Sequence, residues 1–166
     1  RDQEKYFYLI KKYFLSLEKI YNKKIIICLH PSSDLKLYKN NLRKIKIVQH
    51  KTDYFLSRAF IVIFHTSSAI LSAILLKKKI IQLVYSGLGK LIVDRGKVHQ
   101  KFFDFYRQDL NNFKNINKTK LLNTLNYKVK SYNNSLKEIF FIEDKYKDIS
   151  QELFTEINKF KKINKI

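Results

Sequence analysis

The sequence predicts an α/β fold, a Rossmann-like parallel sheet of four to five strands with helices on both faces and a helical C-terminal tail. Three observations carry this. Apolar runs of strand length at residues 25–29, 45–48, 60–64 and 80–84 are separated by segments of helical period. The runs are continuous rather than alternating, the pattern of parallel strands covered on both faces. The chain has 166 residues, 45% of them apolar, with 11 Tyr and 13 Phe, which is enough core-forming material for a domain of ordinary size and too much for a disordered basic tail.

In residues 2–22, Tyr6, Leu9, Ile10, Tyr13, Phe14, Leu17 and Ile20 recur at steps of three and four with Lys11, Lys12 and Lys19 between them, an amphipathic helix. Lys23 and Lys24 close it, and Ile-Ile-Ile-Cys-Leu at 25–29 is the first strand. Cys28 inside that run reads as a small buried hydrophobe. A short helical stretch spans 34–41, and 45–48 forms the second strand. Thr52 is placed to cap a short helix through Ala59, and 60–64 is the third strand. Ser67 or Ser68 is placed to cap a helix running to Leu76, and 80–84 is the fourth strand. Gly87 and Gly89 mark a loop, 97–110 reads as a further helix, and from Lys118 onward the pattern is helical and charged. The expected division is a sheet domain at 1–110 and a helical extension at 111–166. Leu121, Leu122 and Leu125, then Leu136 to Phe160, supply the extension with an apolar face that is expected to be partly buried.

Composition narrows the function. One Cys excludes a disulfide framework and a Cys-based zinc site, and four His without paired spacing predict no metal centre. The net charge of +20 rests on 29 Lys and only 5 Arg, spread along the chain without a basic block. Nucleic-acid sites lean on Arg for bidentate contacts, so nucleic acid is not the expected partner; an anionic ligand or membrane surface suits the charge better. Residues 59–76 carry no formal charge over 18 positions, the minimum for a spanning helix. The run is broken by His65-Thr66-Ser67-Ser68, which would be costly in hydrocarbon, so it parses as strand, loop and helix. The chain opens on Arg1 rather than Met and is expected to be a piece of a longer one.

Two polar clusters follow buried strands. His30-Pro31-Ser32-Ser33 comes after the first and His65-Thr66-Ser67-Ser68 after the third. In open α/β sheets ligands bind outside the carboxyl ends of the strands, at the point where strand order reverses. An order of 3-2-1-4 would hold the clusters two strands apart, so a shared crevice requires the third strand on the other side of the first. Hydroxyls and free N–H groups of Thr66, Ser67 and Ser68 suit a phosphate, although Ser or Thr before an apolar helix is more often only a cap. For His30 a ligand contact and a backbone hydrogen bond stand as equal readings.

The run IIICLHPSS at 25–33, with KTDYFLSRAFIVIFHTSSAILSAILLKKKIIQL at 51–83, resembles the nucleotide-sugar-binding half of GT-B-fold glycosyltransferases of bacterial surface polysaccharide synthesis, the capsular and lipopolysaccharide enzymes with relatives among sialyltransferases and teichoic acid polymerases. The helix before the first strand, with FLSLEKIYNKK at 14–24, fits the capsule-type members, and the resemblance runs over about residues 4–109. It implies that His30 corresponds to the histidine of the family's HP motif, with Ser32 and Ser33 beside it. Thr66, Ser67 and Ser68 correspond to its Ser/Thr-rich motif, and His65 to a histidine of the capsule-type subgroup. By that correspondence all seven bind substrate, and His30 and Ser67 take part in catalysis by stabilising the departing nucleotide. Ser72-Ala73 stands where many members carry Glu-Ala, so no acidic ribose clamp is expected.

What the resemblance implies for partners is a nucleotide-sugar donor, a polysaccharide or lipid-linked acceptor, and an N-terminal acceptor domain outside this chain that supplies the general base. It implies no cofactor, and a cytoplasmic location with peripheral contact at the inner face of the membrane. Rival expectations are an epimerase or polyol-phosphate transferase on the same half-fold, and a non-enzymatic basic module docking on anionic membrane or polymer.

Overall fold

The computed structural model describes residues 2–90, 92–94, 96–97 and 103–139. The protein is α/β, with five parallel strands in two small sheets. In chain order the elements are α1 (Asp2–Tyr21), β1 (Ile26–Leu29), α2 (Leu35–Asn41), β2 (Lys46–Gln49), α3 (Thr52–Arg58), β3 (Ile61–Phe64), α4 (Ile70–Leu75), β4 (Lys79–Val84), β5 (Tyr106–Asp109) and α5 (Lys118–Ile139). β1 pairs with β2 in the register Ile26↔Lys46 to Leu29↔Gln49. β3, β4 and β5 form the second sheet, with β4 central. The chain divides into two compact units, Arg1–Tyr132 and Asn133–Ile166. The division read from the sequence at 110/111 falls inside the first unit. Of the second, only the end of α5 is described.

α1 buries Tyr6, Phe7, Ile10, Tyr13, Phe14 and Leu17, the stripe that its three-and-four spacing marks out. These form one cluster with Ile81, Leu83 and Tyr85 on the β4 side, and with Leu110, Phe113, Leu121 and Leu125. α5 therefore contributes Leu121 and Leu125, both buried, to the core of the first unit, while Leu122 between them is half-buried. The apolar positions from Leu136 to Phe160 lie outside the residues whose side chains are described. A second buried set, outside the first cluster, comprises Phe64, Ile70, Ala73, Ile74, Ile80, Phe103 and Phe105. β4 is thus covered on both faces, as its continuous apolar pattern requires.

The helix ends follow local chemistry. Asp34 caps α2, its carboxylate accepting from the Leu37 N–H at 3.0 Å. α4 ends in a Schellman arrangement, with Lys77 at φ 52° and the N–H groups of Lys77 and Lys78 donating to Ile74 and Ala73 carbonyls at 2.8 and 2.9 Å. Two caps differ from expectation. Thr52 is the first residue of α3 and Lys51 holds the cap position without a side-chain hydrogen bond. α4 begins at Ile70 with Ala69 at its cap, so residues 66–69 remain loop. β5 also replaces part of the helix expected at 97–110; its sequence Tyr-Arg-Gln-Asp carries no apolar run, and its pairing with β4 makes it a strand.

Tyr13 is fully buried, edge-on to Phe113 at 5.1 Å between ring centroids. Its hydroxyl has no hydrogen-bond partner among the described residues, and burial, followed by the neighbouring Tyr106 and Tyr21, pushes the phenol well above its ordinary range. An orphaned buried donor costs free energy that an apolar isostere does not. Tyr13→Phe is therefore expected to leave stability unchanged or raise it by up to about 1 kcal/mol in urea unfolding; a loss of about 2 kcal/mol would reveal a partner for the hydroxyl.

Candidate functional site

The two polar clusters meet. A cavity of about 770 Å³ lies between the sheets, walled by residues 25–29 on the β1 side and 60–64 on the β3 side, with Ile10, Phe14 and Leu17 of α1 also lining it. His30, Ser33 and residues 65–68 border the same cavity. A second cavity, of about 960 Å³, is lined by His30, His50, Lys51, Thr52, Ser67, Ser68 and Ser72, with Asp53 as its carboxylate. Cys28, Leu29, His30, Ser67 and Ser68 belong to both, so the two cavities share a rim. Of the seven residues singled out from sequence, six line these spaces; Ser32 lines neither and touches the site only through its bond to His30.

His30 is exposed at the end of β1. The Ser32 N–H donates to its Nδ1 at 3.2 Å, and the Ser32 hydroxyl lies 2.7 Å from the same nitrogen. With Nδ1 accepting, the neutral ring carries its proton on Nε2, which becomes a donor for a ligand. The loop is held from below by Gln49, whose Nε2 donates to the carbonyls of His30, Pro31 and Ser33 at 3.3, 3.4 and 3.1 Å. Sequence reasoning missed Gln49. The signal was a polar residue closing an apolar strand, and the register Leu29↔Gln49 is what sets it beside the His30 loop.

His65 has a different environment. Its Nδ1–H donates to the Leu83 carbonyl at 2.9 Å, which leaves Nε2 to accept from the Tyr6 hydroxyl at 2.9 Å. Both ring nitrogens are engaged within the protein, so His65 ties α1, β3 and β4 together and positions the loop that follows it. In that loop the Ser67 hydroxyl accepts from the Ala69 N–H at 3.3 Å. Among the described residues nothing in the protein accepts from the backbone N–H groups of Thr66, Ser67 and Ser68. Three N–H donors and two hydroxyls, Thr66 and Ser68, are available at the rim. On the opposite side of the second cavity, His50 adopts φ 58°, the left-handed region that favours glycine, as the chain turns from β2 into Lys51.

Burial pushes the His65 imidazole below its ordinary value of 6.5, with the Leu83 carbonyl opposing. Because the folded value lies below the unfolded one, the stability this ring contributes is complete above pH 6.5 and is lost as the pH falls through the folded value. The urea midpoint is expected to drop as the pH falls below the ordinary imidazole value of 6.5, and His65→Gln should flatten that part of the profile. An unaltered slope in the variant would assign the acid sensitivity elsewhere. Burial likewise pushes the Cys28 thiol up, consistent with a packing role rather than a nucleophile.

Among the described residues no group of three or more His, Cys, Asp or Glu side chains could hold a metal ion, and no helix is long and apolar enough to cross a membrane. Comparison with family models, with curated proteins and with solved structures returns no match.

Proposed function

We propose that this chain binds the nucleoside diphosphate of an activated sugar, as the donor-binding portion of a glycosyltransferase of bacterial surface polysaccharide synthesis. The observation that carries the reading is the shared rim, where His30 from the β1 loop and Thr66 to Ser68 from the β3 loop border one space at the carboxyl ends of parallel strands. The resemblance in residues 25–33 and 51–83 supplies the chemical class. As the bond between the sugar and the diphosphate breaks, negative charge grows on the leaving phosphate. His30 Nε2–H and the free donors of residues 66–68 are arranged to stabilise it without reorganising. His65, its nitrogens committed, acts by holding the second loop. Acceptor binding and the general base belong to a further domain, and Lys51 adds positive charge at the far wall of the second cavity.

The test is a titration of the labelled chain with uridine, cytidine, adenosine and guanosine diphosphates, followed by the amide signals of both loops. His30 and Ser67 are expected to shift together along one binding curve. Shifts in one loop alone would end the idea of a single site. Binding that is indifferent to His30 and falls steeply with salt would assign the chain to the basic modules that dock on anionic surfaces.

A further inference from the structure

We infer that the end of the sheets where the strands begin, opposite the candidate site, is a docking face for an anionic lipid surface. The inference stands apart from the donor-binding reading, since it concerns the other end of the strands. Lysines that are spread evenly along the sequence are gathered there by the topology. In a parallel sheet every helix-to-strand junction falls at the end where strands begin. The Tyr21 ring, at the end of α1, lies 5.7 Å from that of Phe60, just before β3, so the two sheets begin side by side. Residues 22–25 bring Lys23 and Lys24 to this end, and residues 42–46 bring Arg43, Lys44 and Lys46. Residues 76–79 add three consecutive lysines, and Arg58 ends α3. These segments hold nine cations and no carboxylate. Glu18 and Asp104, on flanking segments, are each paired with a lysine, Lys24 and Lys128. At the other end, residues 30–34, 50–53, 65–69 and 85–90 hold two lysines and two aspartates, and so no net charge.

The chemistry of this face suits a bilayer better than a nucleic acid. Seven of the nine cations are lysine, whose compact charge responds to the field of many headgroups rather than gripping one group in a fork. Arg58 is already engaged, its guanidinium 3.9 Å from the Tyr54 ring centroid and donating to the Tyr54 carbonyl at 3.2 Å. The junctions are two to four residues long, so no loop projects to enter a groove. Phe60 lies among the lysines, 42% exposed, with Lys79 Nζ 5.0 Å from its ring centroid. An exposed aromatic ring bordered by lysines matches the boundary between headgroups and acyl chains, where the ring enters and the ammonium groups stay in the polar layer. Docking by this face would leave the rim of the candidate site turned away from the bilayer.

The experiment is co-sedimentation of the full chain with vesicles of equimolar phosphatidylglycerol and phosphatidylcholine, and with phosphatidylcholine alone. Binding is expected on the anionic vesicles only, and should fall with added salt. Replacing Lys23, Lys44 and Lys77 together by Gln should weaken it about a hundredfold, at about fivefold for each lysine near an anionic surface. The same replacement at Lys5, Lys36 and Lys90, exposed at the opposite end, removes equal charge and should change it little. The chain has no Trp, so Phe60→Trp supplies a single reporter, whose emission should shift to the blue on anionic vesicles. Tyr8→Trp, 66% exposed on α1, should not shift. Equal losses in the two triple variants would make the attraction a matter of total charge and overturn the docking face. An unshifted Phe60→Trp on bound vesicles would place another face against the lipid and overturn it too. Absence of binding to the anionic vesicles would end the inference. So would tighter binding to oligothymidylate that the first triple variant abolishes, which would give this face to nucleic acid. None of these outcomes bears on the rim.

Discussion

Phe105→Ala is expected to cost about 3–5 kcal/mol of stability, the range for truncating a fully buried aromatic ring. The side chain is 2% exposed, stacked on Phe103 at 5.5 Å and edge-on to Phe64 at 5.3 Å between ring centroids. Three rings locked together relax poorly around a void, so the cavity term adds to the lost transfer energy. The effect should also reach the site, because Phe64 ends β3 immediately before His65. Without its buttress, the loop carrying Thr66 to Ser68 loses the support of β3 on one side. Urea unfolding should show a lower midpoint at constant slope, and nucleoside diphosphate affinity should weaken in parallel. Phe105→Leu, which keeps more of the volume, is expected to cost less than the Ala variant. A loss below about 1 kcal/mol for Phe105→Ala would mean that the ring is not packed as described.

His30→Ala and Ser67→Ala are each expected to weaken nucleoside diphosphate binding by about 1–3 kcal/mol, roughly fivefold to 150-fold. The His30 ring is exposed and its Nδ1 bonds only within its own loop, so its removal should leave stability nearly unchanged while the Nε2–H donor is lost. Ser67 acts partly through its backbone, since its hydroxyl organises the turn by accepting from Ala69. Its variant should lose affinity through disorder of the neighbouring N–H donors, and Ser67→Thr should restore most of it. The two changes lie in separate loops, so their sum in a double variant should fall short if both loops grip the same phosphate. Full additivity would place them on different groups of the ligand. Unchanged affinity in both single variants would remove the phosphate role altogether.

Much of this was legible in the sequence, and for definite reasons. Four strands and five helices follow from periodicity, because continuous apolar runs and three-and-four spacing leave few alternatives for α1, β1, β3 and β4. The two polar clusters were visible as interruptions at strand ends. Where the reading slipped, local pattern had little to offer. β5 carries no apolar run in Tyr106–Asp109 and exists because the open edge of β4 takes a partner. Ser67 looks like a cap, yet the helix starts only at Ile70, since the hydroxyl accepts from Ala69 in a tighter turn. Two histidines with the same sequence signature, a strand end followed by hydroxyls, separate only in three dimensions. His65 is enclosed by Tyr6 from 59 residues away and by the Leu83 carbonyl, while His30 is held by its own loop and keeps a donor free. The sequence by itself determined which segments become strands and helices and where polar groups cluster, because those depend on neighbours within a turn or two. Only the tertiary structure decided that β1 and β3 wall one cavity, that Gln49 holds the His30 loop and that the two clusters share a rim. Those depend on contacts between residues far apart in the chain, whose energies are set by packing and hydrogen-bond partners that no local pattern records.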